Sequence, residues 1–137
     1  MISFKGGQAR PIALAAGILT DGNRIFFLQK KRRDGMVELE LPSCKVLAGE
    51  NPVACLAKAF KAQAGIDVEV GQIAFQSKYN SGSRKHRRTV PALAFSCHAK
   101  NASARISGEF AGFKWLQKGT LLRERLSRNA AWAREIL

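Results

Sequence analysis

Two kinds of side chain in this 137-residue chain could act on a charged ligand. Carboxylates are the first: Glu38 and Glu40 flank one residue, and Glu50, Asp67, Glu69 and Glu109 stand apart. An ionised carboxylate can hold a hard divalent cation or move a proton. Cations are the second, in two runs, Lys30-Lys-Arg-Arg33 and Arg84-Lys-His-Arg-Arg88, with Lys45 between them. Planar guanidinium forks match phosphate oxygens. Arg32, Arg33, Lys45, Arg84, Lys85, Arg87 and Arg88 are therefore the candidate phosphate-binding residues. Tyr79 and His86 offer rings on which a base could stack. Each has a plainer reading: Glu38 and Glu40 as a solvated strand face, Glu109 and both cation runs as exposed loop. Glu50 would be a carboxylate favoured by the dipole at a helix start.

Thiols and imidazoles add little. Cys97-His98 has no partner at ligand spacing, so no metal site is expected. No His or basic partner is established for Cys44 as a nucleophile. Cys44, Cys55 and Cys97 are odd in number and show no CxxC spacing, which fits free thiols in a reducing cytoplasm.

A net charge of +13 favours anionic partners such as nucleic acid, nucleotides or an acidic protein. A merely basic solvated surface explains it equally well. Apolar residues make up 46% of the chain, enough for one folded domain over residues 1–137. The longest apolar run, Ile12 to Leu19, is too short to span a bilayer, so no membrane partner is expected. Asp21-Gly22 and a second apolar segment follow at once, so the run reads as a strand rather than a secretory leader.

These groups must be positioned by the elements around them. Pro11–Leu19 and Arg24–Gln29 flank the turn residues Thr20–Asn23, as in a hairpin. Val37, Leu39 and Leu41 alternate with Glu38 and Glu40, which predicts a strand. Extended chain and a tight loop lead to Asn51, where Pro52 suits a first helical turn. Val53, Leu56, Ala57, Phe60 and Ala64 form one apolar stripe, and Gly65 is the expected stop. Val68, Val70, Ile73 and Phe75 predict a strand bent at Gly71. Residues 79–89 read as loop, Val90–His98 as strand, Asn101–Gly108 as loop, and Phe113–Leu116 as a short strand with Trp115 in the core. A helix is expected from Thr120 onward. Strands around one central and one terminal helix predict an α/β fold, a mixed sheet between helices.

The stretch from Glu40 to Ile66 resembles the Nudix box. Leu41-Pro42, Gly49, Glu50, Phe60, Gly65 and Ile66 match that family's frame. Cys44 stands at its first glycine and Lys58 at its arginine. Ala59, Ala62 and Gln63 stand where the family has glutamates. Phe113-Lys-Trp-Leu116 is similar to the family's strand before its last helix, so the resemblance covers roughly residues 10 to 135.

The resemblance implies a Nudix-like mixed sheet in an α/β/α arrangement and an ancestry in hydrolysis of nucleoside diphosphates linked to another group. Magnesium, held by box glutamates, supplies that chemistry in the family. Two methyl groups and an amide cannot replace those ligands, and Lys58 and Lys61 would repel a divalent ion. The expectation is a non-catalytic binder of a phosphate-bearing ligand, nucleotide or RNA, with no cofactor. Two alternatives stay open. One is a residually active, magnesium-dependent pyrophosphohydrolase using Glu50 and Glu109. The other is a basic protein-interaction module.

Overall fold

The structure, a computed structural model, describes residues 10–81, 88–119 and 126. In chain order it has β1 (Pro11–Asp21), β2 (Arg24–Lys31), β3 (Val37–Glu40), β4 (Ser43–Leu47), α1 (Pro52–Ala64), β5 (Glu69–Ser81), β6 (Arg88–His98) and β7 (Gly112–Gln117). The strands form one seven-stranded mixed sheet. This is the α/β architecture expected from the sequence.

β1 is the hub of the sheet. Its first half pairs antiparallel with β4, from Pro11↔Leu47 to Ala16↔Ser43. Its last residues pair with β2 through a hairpin whose Gly22 sits at φ 61°. The two partners part at Gly17, whose N–H donates to the Pro42 carbonyl at 2.9 Å. On its other edge β1 runs parallel to β6, from Leu14↔Ala92 to Leu19↔Cys97. β2 carries β3 on one side and β7 on the other.

Alternation along the strands divides the core between two faces. Ala13, Ala15, Phe26, Leu28, Val46 and Phe95 pack with Leu56, Phe60 and Ala64 of α1. Ala16, Ile18, Ile25, Phe27, Leu39 and Leu116 form a second cluster, against which Leu126 packs. Gly17 lets the helix close on the sheet. A Cβ there would stand 2.5 Å from the Phe60 ring and 3.1 Å from Cys97 Sγ.

α1 has the start and stop its sequence predicts. Asn51 Oδ1 accepts from the N–H groups of Val53 at 2.8 Å and Ala54 at 3.2 Å. Gly65 ends it at φ 70°, its N–H donating to the Lys61 carbonyl at 2.9 Å.

Two segments differ from the sequence reading. Ser43–Leu47 is a strand, because β1 offers it an unpaired edge and the core takes Val46. Residues 79–81 and 88–89 belong to β5 and β6, paired as Tyr79↔Val90, Asn80↔Thr89 and Ser81↔Arg88. Polar composition suggested a loop, but an exposed ladder satisfies the backbone without apolar side chains. Thr89 Oγ1 also donates to Asn80 Oδ1 at 3.1 Å. Apart from Leu126, the helix expected from Thr120 lies outside the described residues. Among those described, no helix is long and apolar enough to cross a membrane.

Candidate functional site: the recess beside Glu40

Three strands lay their side chains in rows on the α1 face. Phe113, Leu28 and Glu40 occupy opposite positions on β7, β2 and β3, and Lys30 is opposite Glu38. Phe26 stacks on Phe113, with centroids 5.7 Å apart, and meets Trp115 edge-on at 5.3 Å. Trp115 is half-buried against the core, and the Arg24 guanidinium lies 5.6 Å from its ring centroid.

Glu109 reaches these rows through the cap of α1. The last-turn carbonyls of that helix accept from a loop rather than from solvent. Arg105 N–H donates to the Ala64 carbonyl at 2.7 Å and Ser107 N–H to the Gln63 carbonyl at 3.1 Å. The chain then turns, and Ala111 N–H donates to the Gln29 carbonyl at 2.8 Å. Ser107 Oγ donates to Glu109 Oε1 at 3.4 Å, and Lys30 Nζ lies 5.4 Å from the Phe110 ring centroid.

Glu40 responds to this assembly. Burial holds its carboxyl above the ordinary carboxylate value; Lys30 pulls it down, while Glu109 and Glu38 push it further up. The solvated face expected for Glu38 and Glu40 is thus half-buried. Beside Glu40 opens a recess of about 480 Å³ lined by Lys30, Lys31, Arg32, Arg33, Asp34, Glu38 and Glu40. Arg32 Nη1 donates to Glu38 Oε2 at 2.6 Å, an exposed pair that fixes one guanidinium at the rim.

The box positions lie along α1 and the segment before it. Gln63 spends its whole amide on one residue: Nε2 donates to the Ser43 carbonyl at 2.8 Å, and Oε1 accepts from Ser43 N–H at 3.3 Å. Ala59 is half-buried, and Ala62 and Lys58 are exposed. Lys61 does not guard this side. It pairs with Asp67 at 3.1 Å and borders a different recess of about 510 Å³, shared with His98 and Lys100. Cys44 and Cys55 both pack against the α1-facing cluster.

Glu50 does not join Glu109. Its Oε1 accepts from Leu47 N–H at 2.8 Å while its own N–H donates to the Leu47 carbonyl at 3.0 Å, closing the turn before α1. The carboxylate that feels the charge of Glu109 is Glu40. Pairing in the β3–β2–β7 register brings it there, which local sequence does not reveal. Lys45 and Arg88 are exposed and project from the face opposite α1, away from the recess. Tyr79 is half-buried on β5 at the far side of the sheet. Arg84, Lys85, His86 and Arg87 lie outside the described residues.

The arrangement aligns with known structures over nearly its whole length. A MutT Nudix hydrolase from Burkholderia pseudomallei superposes with a TM-score of 0.75 at 17% identity, covering 96% of this chain and 99% of that one. The fold is that of the Nudix hydrolases. The dihydroneopterin triphosphate pyrophosphohydrolase of E. coli gives a TM-score of 0.70 at 15% identity, over 93% and 96% of the two chains. An ADP-ribose pyrophosphatase from Streptococcus suis gives 0.67 at 17% identity, over 92% and 87%. No protein-family model matches the chain, and no curated protein matches it.

The magnesium associated with this Nudix fold does not fit the residues present. Of the aligned positions, two are alanine, Gln63 is committed to Ser43, and Glu50 to Leu47. Magnesium binding relies on carboxylates with coordinated water. Among the described residues, no group of three His, Cys, Asp or Glu side chains could hold a metal ion.

Proposed function

We propose that this Nudix-fold protein is a non-catalytic binder of a phosphate-bearing ligand, a nucleotide or a segment of RNA, at the recess beside Glu40. The observation that carries this reading is the Gln63 amide closed in both directions on the Ser43 backbone. A carboxylate could accept from the Ser43 N–H but could not donate to its carbonyl. The helix face that would bind metal serves instead as a structural joint. Lys30, Lys31 and Arg33 line the recess and supply positive charge for phosphate oxygens. Phe113, 42% exposed, offers a surface on which a base can stack.

Calorimetric titration with ADP and with a short single-stranded RNA tests the reading. Binding should weaken as salt rises, persist in a chelator, and fall in Arg33→Ala. Affinity indifferent to salt would count against it.

A second reading has one observation in its favour: the charge of Glu109 reaches Glu40 and helps to hold its carboxyl above the ordinary carboxylate value. They would be the substitute carboxylates of a residual magnesium-dependent pyrophosphohydrolase. Magnesium-stimulated phosphate release from a nucleoside-diphosphate panel, lost in Glu40→Gln, would establish it over binding alone. The protein-interaction module is separated by a third result. Capture of one acidic protein, unaffected by nuclease and uncompeted by nucleotide, would favour it.

A further inference from the structure

Cys44 and Cys55 are brought together only by the tertiary fold. Cys44 lies on β4 opposite Ala15, and Cys55 lies one turn into α1. Both are half-buried against the α1-facing core, and each carries a free thiol. Cys55 Sγ–H points at the Lys45 carbonyl, 3.9 Å away, beside the neighbouring Cys44. That carbonyl belongs to the residue next to Cys44 on β4, and both cysteines pack against the same core cluster. Cys97 is separate: buried on β6, its Sγ faces the Phe95 carbonyl at 3.6 Å.

We propose that Cys44 and Cys55 form an oxidisable dithiol, a modification site that reacts with low-molecular-weight disulfides such as oxidised glutathione and closes into an intramolecular bridge between β4 and α1. The site is independent of the ligand reading, because neither thiol lines the recess.

The order of events follows from the surroundings. Burial pushes the Cys44 thiol up, and Cys55 and Glu50 push it the same way, so Cys44 is the poorer first nucleophile. Cys55, as thiolate, attacks one sulfur of oxidised glutathione. The glutathione S–S bond breaks, a Cys55–glutathione disulfide forms, and one glutathione thiolate leaves to take up a proton. Cys44 then gives its proton to water and attacks Cys55 Sγ. The Cys44–Cys55 bond forms, the bond to glutathione breaks, and the second glutathione leaves as a thiol. The protein loses two electrons and two protons, and one oxidised glutathione becomes two reduced molecules. The bridge fastens the start of α1 to β4 across the turn that Glu50 closes.

The test uses the full chain, reduced, desalted and then incubated with oxidised glutathione before thiol alkylation and mass spectrometry. The expected product has lost about 2 Da and retains one alkylatable thiol. Peptide mapping should join Cys44 to Cys55 and leave Cys97 free. In Cys97→Ser the same bridge should form, and in Cys44→Ser the reaction should stop at a Cys55–glutathione adduct. Three alkylated thiols in the wild-type protein, glutathione adducts without a bridge, or a bridge that uses Cys97 or joins two chains would each overturn the proposal. The wild-type map decides the matter even where a variant fails to fold.

Discussion

The two sides of α1 obey different rules. On the side toward the sheet, Leu56, Phe60 and Ala64 are fully buried, and the Phe60 ring sits over the glycine at position 17. On its other side stand Ala59, Ala62 and Gln63, small or neutral, with a polar joint from Gln63 to Ser43. The first side is held by packing, where one methylene is felt. The second is held by little besides the Gln63 amide, so its chemistry could change while the fold stayed. Packing against the sheet, not charge on the outer face, holds this helix in place.

Substitution can sharpen this contrast. Phe60→Ala should cost about 3–5 kcal/mol, because it removes the ring between helix and sheet and leaves a cavity. Ala62→Glu, on the exposed side, should stay within about 0.5 kcal/mol. Chemical denaturation of the pair measures both, and similar losses would break the comparison.

Gln63→Glu comes next. It deletes the donor to the Ser43 carbonyl and sets a carboxylate against that oxygen, at a cost of about 1–3 kcal/mol. Gln63→Met, which removes donor and acceptor together, should also destabilise, since both hydrogen bonds between its amide and the Ser43 backbone are then lost. If Gln63→Glu were as stable as the wild type in a chelator, the amide would not be the joint described here.

Asn51→Ala should cost about 1 kcal/mol by freeing the Val53 and Ala54 N–H groups. Thermal melts detect a loss of that size.

The smallest effect is set by pH. The folded-state pKa of Glu40 is raised, so the folded protein binds more protons than the unfolded chain between the two values. Its contribution to stability therefore falls as pH rises from the ordinary carboxylate value through the folded one. Glu40→Gln should melt higher than the wild type near about pH 7, and the gain should vanish near about pH 3, where the carboxyl is protonated in both states. A gain that persisted in acid would assign the effect to packing.

Much of this was legible from the chain. The helix over Asn51–Ala64 declared itself through its stripe, its cap and its glycine stop, all set by neighbours within one or two turns. The β1–β2 hairpin did so through alternating apolar residues and Asp21-Gly22. β4 did not, because a short strand needs an edge to pair with, and that edge lies about thirty residues earlier in β1. The polar ends of β5 and β6 were hidden for the same reason, since ladder bonds are made by backbone and leave no mark on composition.

The site divides likewise. Sequence alone set alanine at positions 59 and 62 and an amide at 63, which the resemblance matches to glutamates, and residue type decides what a side chain can donate or accept. It also set the excess of positive charge. Only the tertiary structure decided which of these groups meet. Strand register put Glu40 near Glu109 while a local turn claimed Glu50, and helix-on-sheet packing set Cys55 beside Cys44. Such meetings depend on where distant segments pair, and no spacing within one segment encodes that.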